Sequence, residues 1–544
     1  MNLIVNKFKI ENIVEKVMNE PEPIPRKVPD YMRKKGGGWY WTGAMIMVAF
    51  IYEVLTGLIL LLFYQPANPY GSTEEIINTL PYGSEILTTH LYGAYAMIAL
   101  VYIHLGRNLF VGAYKKPRQL QWFTGIILLF MTVGAAYFGY SLIADPLAKA
   151  AISVGFGITE LIPVVGHQMA GLIFSIGSGV TLYTRFLGFH IIVVALIGML
   201  FAAHFFLAEY NTIMPSNKDS GARAPAIDHD DGTYKAWYPY NLLYMIQMSL
   251  LVFGVIIIIP SILSLLPSAD IPTLFSPFPL STSYNGPQFP PWFLLFVYKE
   301  LDFSVAVSLL PFWTTVIFVG MPVAYLFLLP YLDNGPSLKL RDRPLTFSLA
   351  VLGLVYYIGL SIWGALEPAI PINNVEWISF FVFPAIVIIG SIMYLMKLIR
   401  EGRLDVRKAR VVFITLPFLI ISSYGTGILA IADFKNPMLI YSIPLIILSM
   451  IDAIEFLMIF SVSLDIFPFK SEIDLEENVK PMSQLGFTIT GSGFGMAAVA
   501  ILIEISIIPP DSVFNEALYG IGLGLIALIG VALIRLYRHA IFGE

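Results

Sequence analysis

The chain contains no cysteine among its 544 residues. That absence excludes disulfides, Cys-ligated iron–sulfur clusters, zinc–thiolate sites and any Cys-linked haem within this polypeptide. Charge is also scarce. Only 13% of residues are Asp, Glu, Lys or Arg, and the net charge of −5 leaves no basic excess to track a phosphate backbone, so nucleic acid is not an expected partner. Histidine occurs just seven times. The stretch up to Gly38 is polar and charged and lacks the apolar core of a cleavable signal, so the first apolar run reads as a retained span. What the chain has in abundance is apolar surface: 57% hydrophobic residues and a mean hydropathy of +0.76. That composition belongs to a polytopic membrane protein.

Twelve apolar segments are expected, at 39–63, 87–106, 121–143, 186–207, 240–266, 307–330, 346–366, 376–398, 411–432, 438–462, 485–507 and 517–536. If each spans once, 28 of the 32 Lys and Arg residues fall on one side, and only Lys149, Arg185, Lys299 and Lys435 on the other. Positive charge is retained on the cytoplasmic side, so both termini are expected there, in a cell (plasma) membrane. The expected fold is all-α, with about 12 transmembrane helices. Four blocks follow: a cytoplasmic segment 1–38, an N-terminal four-helix bundle 39–237, a second block 238–400 and a four-helix extension 401–544. The loops at 144–185 and 267–306 are the longest on the outer side, and long ordered loops tend to carry function.

Four of the seven histidines form two pairs at the same interval. His90 and His104 are 14 residues apart in one apolar run, and His190 and His204 are 14 apart in another. A helix turns about 100° and rises about 1.5 Å per residue, so a step of 14 returns to within about 40° of the same face, roughly 21 Å along. Both runs cross from outside to inside, which pairs His90 with His190 and His104 with His204. The plain alternative is four hydrogen-bonded core imidazoles. Ionisable groups inside a membrane are costly and usually functional, and the duplicated interval points to two metal planes, each held between two imidazoles: a two-haem electron wire across the bilayer.

Glycines repeat the interval on the neighbouring runs. Gly43 and Gly57 are 14 apart, and so are Gly125 and Gly139. A flat macrocycle wedged among four helices needs missing side chains where it nears a backbone, although glycine is also an ordinary packing residue in membrane helices. Arg107 follows His104 by three residues and Arg185 precedes His190 by five. Each could hold a haem propionate through its planar fork, or snorkel to the interface.

Together these segments resemble cytochrome b of the quinol-oxidising cytochrome bc complexes, the Rieske/cytochrome b class. Thr56-Gly57 resembles the family's first-span T-G, His90-Leu91-Tyr92-Gly93-Ala94 its H-x-x-G-A and His104-Leu105-Gly106-Arg107 its H-x-G-R. Phe138-Gly139-Tyr140 resembles the third-span G-Y. Thr181-Leu182-Tyr183-Thr184-Arg185-Phe186 followed by His190 is similar to T-L-x-R-F-x-x-x-H. Pro290-Pro291-Trp292-Phe293 stands where the family has P-E-W-Y, and Asp333, Arg341, Arg343 and Pro344 resemble the charged loop after span 6. The resemblance covers about residues 30–370. The extra C-terminal spans, the Ile-rich composition and the altered P-E-W-Y resemble the archaeal branch found with quinol-oxidase assemblies.

The resemblance implies two bis-His haems, of b-type or an a-type variant, with iron held by His90/His190 and His104/His204. It also implies quinol or quinone as substrate, a Rieske iron–sulfur partner, further respiratory or terminal oxidase subunits, surrounding lipid, and a homodimer or larger complex. Quinol would be oxidised at an outer site lined by Pro290, Trp292 and Tyr298, with proton release outside. The family's Glu is replaced by Pro291, which cannot accept a proton. Asp145, Glu160, His167, Tyr298, Glu300 and Asp302 are the candidates to replace it. His167 has the most suitable intrinsic pKa, and Tyr298 matches a tyrosine of the family's quinol pocket. Glu53 replaces a Gln of span 1, Leu87 an Arg before the first histidine, Glu209 a His and Met245 an Asp of the inner quinone site. Asp452 and Glu455 share a mid-span face, Glu504 is an isolated mid-span acid, and the last spans hold no redox ligand. Two other readings remain: a di-haem quinone-reactive anchor of another oxidoreductase, and a 12-span secondary transporter. The first predicts no P-x-W-F loop. The second predicts six-span repeats and leaves the histidine pairs unexplained.

Overall fold

The structure is a computed structural model. It describes residues 28–29, 37–160, 162, 164–174, 181–211, 234–235, 237–268, 271–302, 320–372, 374–403 and 484–542. Among these, nine helices are long and apolar enough to cross a membrane. They match nine of the twelve expected spans. The spans expected at 411–432 and 438–462 lie outside the described residues, with Asp452 and Glu455, and so does most of 307–330. The protein is a multi-pass, all-helical membrane protein, save for a two-residue antiparallel pairing of β1 (Val28–Pro29) with β2 (Tyr234–Lys235).

Residues 1–286 and 481–544 form one compact unit. Its first spans are α1 (Thr42–Leu61), α3 (Gly83–Val111), α4 (Gln119–Ser141) and α7 (Leu182–Asn211), with the short α2 (Pro69–Thr79) between α1 and α3. Helix α1 packs along α3, α4 along α7, and α3 also touches α4. This is the expected four-helix bundle. Gly112 ends α3 in the left-handed conformation (φ 78°), where its missing Cβ avoids strain, and the Ala113 amide donates to Asn108 O at 2.9 Å. The loop of 144–185 holds two short helices, α5 (Pro146–Glu160) and α6 (Gly166–Phe174). They bury Ile152, Ala170 and Phe174 against Phe186, Tyr137 and Phe138 of the bundle.

Helix α8 (Leu242–Ser264) lies in the same unit. Val252 and Ile256 join Ala49 and Met97 in one core cluster. The last helices, α13 (Gln484–Ile507) and α14 (Val513–Phe542), also return to this unit, with α14 laid along α8. The block boundaries expected at 238 and 401 therefore differ from the contact pattern. The physical reason is close packing: a Cβ at Gly254 would lie 3.2 Å from Gly524 O, and one at Gly524 3.1 Å from Gly254 O. Buried Arg538 of α14 donates to Gln247 Oε1 of α8 at 2.9 Å and stands over the Tyr244 ring.

The other unit, 287–480, is described through α9 (Leu295–Leu301), α10 (Met321–Leu332), α11 (Pro344–Leu366) and α12 (Asn374–Arg400). Leu360, Trp363, Ile372 and Phe380 form its core. Buried Lys299 is held by the carbonyls of Glu367 (2.8 Å) and Ile370 (3.2 Å) and by Asp302 (3.4 Å). In the charged loop, Arg343 reaches Asp333 at 3.8 Å.

Tyr82, just before α3, has φ 61°, a left-handed conformation costing a non-glycine residue about 1–2 kcal/mol. Its amide donates to Glu516 Oε1 at 2.8 Å, and the Glu85 amide to Oε2 at 3.3 Å. A carboxylate from α14 thus satisfies free amides at the α3 N-terminus and suits the positive end of its dipole. Glu516→Ala is expected to destabilise the folded protein by about 1–3 kcal/mol, the worth of hydrogen bonds to a buried charge. A lowered thermal midpoint by circular dichroism checks it, with Glu516→Gln intermediate.

Candidate functional site

The four histidines sit on two levels of the bundle, and every bundle helix contributes to each level. At the first, the His90 and His190 ring centroids are 6.5 Å apart with planes at 78°. Two metal–nitrogen bonds of about 2 Å plus the two ring radii span about that separation, so these imidazoles fit a metal ion placed between them. At the second level His104 and His204 lie within electrostatic reach of each other. Among the described residues no group of three or more His, Asp or Glu side chains is placed to share one ion. The donor set is paired imidazole.

Each ring is positioned by a glycine and by a hydrogen bond to Nδ1. A Cβ at Gly57 would lie 3.2 Å from His90 Cε1, one at Gly139 2.8 Å from His190, one at Gly125 3.2 Å from His204 and one at Gly43 3.6 Å from His104. All four expected glycines therefore border the expected histidines. Nδ1 of His104, His90 and His204 meets the hydroxyl of Thr42 (2.8 Å), Thr56 (2.9 Å) and Thr124 (2.9 Å), and Nδ1 of His190 donates to Ala135 O (2.8 Å). A carbonyl only accepts, so the His190 proton is on Nδ1 and Nε2 keeps its lone pair. The same holds at His104. Arg107 donates to Asn108 Oδ1 (2.7 Å), which turns the Asn108 amide nitrogen toward His104 Nε2 (2.9 Å). An Nδ1–H tied to the protein and an Nε2 lone pair is what a metal-binding imidazole requires, and at His104 a metal would take the place of the Asn108 amide on that lone pair.

Known proteins resemble this chain. The family described as cytochrome b (N-terminal)/b6/petB matches residues 95–282. Cytochrome b of Sulfolobus acidocaldarius is 34% identical over 98% of this chain and 98% of its own length. The chain belongs to the cytochrome b family. Cytochromes b6 of Porphyra purpurea and Heliobacterium mobile are each 33% identical, over 31% and 32% of this chain and 80% and 84% of theirs. A solved structure entitled hyperthermophilic respiratory Complex III shares the fold at TM-score 0.53 and 23% identity, covering 78% of this chain and 99% of that one. Membership in a cytochrome b family implies haem, and the imidazole pairs with their bordering glycines fit it.

Other expected site residues of this cytochrome b fall in different settings. Arg107 lies over the Tyr40 ring at 5.0 Å, and Arg185 is half-buried in the first turn of α7. His167 is 88% exposed and meets Glu160 at 3.3 Å. Asp145 has both oxygens engaged, by the Ala148 amide (2.8 Å) and the Leu280 amide (3.1 Å), and burial raises its pKa. It is a helix cap and loop tether. Glu504 is exposed on α13. In the other unit Pro290 and Phe293 are buried, Trp292 meets Phe293 edge-on, and Tyr298 is half-buried, its phenol pushed up to about 12 by burial. Glu300 is 7% exposed, and its Oε2 has no hydrogen-bond partner among the described residues. Burial pushes its carboxyl up to about 8. Asp302 is raised by burial as well, against the pull of Lys299.

Thr42 and Thr124 are site residues that the motif reading passed over. The signal was present: three of the four bordering glycines directly follow a threonine, in Thr42-Gly43, Thr56-Gly57 and Thr124-Gly125.

Two outcomes follow. The Gly→Ala series should lower haem occupancy in the order of ring clearance, Gly139 most and Gly43 least, by haem quantitation per chain; a Gly43 variant more damaged than Gly139 would contradict it. For Glu300, the folded protein favours the protonated form. Its stabilising share is complete below the ordinary value of 4.5 and is lost as pH rises through about 8. Glu300→Gln should flatten that part of the unfolding-midpoint profile against pH.

Proposed function

We propose that this chain is the di-haem cytochrome b subunit of a respiratory quinol-oxidising complex, carrying electrons across the cell membrane between two bis-His haems. The observation that supports it most is the repeated four-residue level: two imidazoles and two glycines, from the same four helices, twice. Bound haem supplies a one-electron redox centre at each level. His90, His190, His104 and His204 would hold the iron, and the glycines would give the macrocycle room. Arg107 and Arg185 pair with propionates.

Quinol binds on the outer side, where Pro290, Trp292 and Tyr298 line its site and a Rieske iron–sulfur partner takes one electron. Proton release there, with charge moved inward, gives proton translocation. His167 is open to solvent and suits a late proton carrier, whereas a group that takes a proton from quinol directly must be enclosed with it. The chain sits in the plasma membrane with both termini cytoplasmic, within a homodimer or larger assembly of oxidase subunits. The 28-to-4 distribution of Lys and Arg supports that orientation.

The test is a reduced-minus-oxidised spectrum with pyridine haemochrome quantitation of the purified protein and of His104→Ala. The expected result is two low-spin haems per chain, falling to about one in the variant. No haem, or haem content indifferent to His104, overturns the reading.

A further inference from the structure

Of the four imidazoles, one differs from the rest. At three of them Nδ1 meets a threonine hydroxyl and at the fourth it donates to a backbone carbonyl, all neutral partners. His90 alone also meets a carboxylate: Glu53 Oε2 lies 3.2 Å from its Nδ1, the single ion pair to any of the four among the described residues. Thr56 donates its own hydroxyl to Tyr52 O at 2.8 Å, so toward His90 it can only accept. The Nδ1–H is therefore shared between Thr56 Oγ1 and Glu53 Oε2. Thr42 at His104 and Thr124 at His204 repeat the threonine without the acid.

Glu53 is enclosed as well as close. Its side chain is 12% exposed, and Oε1 is buried without a hydrogen-bond partner among the described residues. The carboxyl fits because Gly93 of α3 has no side chain: a Cβ there would collide with Glu53 Oε1. A buried carboxylate with an unsatisfied oxygen is costly unless a positive charge lies near it. Among the described residues the one ion-pair partner of Glu53 is His90, and whatever His90 holds would supply that charge.

We infer that Glu53 is a positioning residue that lowers the redox potential of the haem held by His90, relative to the haem held by His104. The inference rests on the bis-His reading above. A carboxylate accepting Nδ1–H makes the imidazole a stronger donor at Nε2, and it favours a centre that carries one more positive charge when oxidised. A potential lowered at one level alone sets a downhill direction from that level to the other.

The experiment is a potentiometric titration of both haems in the purified holo-complex, for the wild type, Glu53→Gln and Gly93→Ala. The second variant keeps the acid and pushes it off His90, so it serves if Glu53→Gln does not assemble. The expected result in both is two haems per chain, with one midpoint moved to higher potential and the other unmoved. Midpoints unchanged in both variants, or both midpoints shifted alike, overturn the inference. Failure of the underlying reading looks different: His90→Ala would then retain both haems.

Discussion

The structure depends on fixing the edge of an imidazole. A histidine in a membrane helix has two nitrogens, and only one can face a metal. If the other is left without a partner, the ring pays desolvation, and either tautomer and several orientations remain open. Here Nδ1 is tied in all four cases to a neighbouring helix, and the residue after the tying threonine is glycine in three of them. The Thr-Gly step does two things at once. The hydroxyl sets the rotation of the ring, and the absent Cβ of the next residue lets ring and cofactor approach the backbone. Helix spacing in the bundle follows from that contact, which is why α1 lies on α3 and α4 on α7.

This constraint explains how much of the site was legible in the sequence. An interval of 14 is a property of one helix, so it can be read without knowing any neighbour. The same interval in glycines on adjacent runs then identifies the facing helices. Span positions were legible for a similar reason, since a hydrocarbon core demands about 20 apolar residues whatever packs outside them. Thr42 and Thr124 were legible in principle, as the residues preceding glycines already singled out. Thr56 was noticed only through the family motif.

What could not be read was which surface a helix chooses when it carries no such mark. Helix α14 has no redox ligand and a nearly uniform apolar face, and block order suggested a separate extension. Its place beside α8 and α3 depends on a glycine pair, on Arg538 meeting Gln247, and on Glu516 reaching an amide end more than 400 residues away in sequence. Each of these is a contact between single residues at unrelated positions, with no period to reveal it. The acids fared likewise. Asp145 and Glu300 look equivalent in sequence, yet one has both oxygens satisfied by amides and the other keeps an oxygen unpartnered.

The His190 level shows why the threonine is not obligatory. Residue 138, before Gly139, is phenylalanine, and its ring stacks on Phe189 and meets Phe186 edge-on. Those aromatic contacts pack the bundle onto the loop helices α5 and α6. A threonine there would lose them. The Nδ1 proton goes instead to Ala135 O, whose second lone pair is available even though the carbonyl is helical. The level that meets the loop helices α5 and α6 therefore combines the tightest glycine clearance, a backbone acceptor and an aromatic wall on its His190 side with a carboxyl group on its His90 side. The other level is held by two threonines. The two imidazole pairs are thus alike in donor and unlike in surroundings, and surroundings are what a protein can vary to separate the potentials of two centres with the same ligand set.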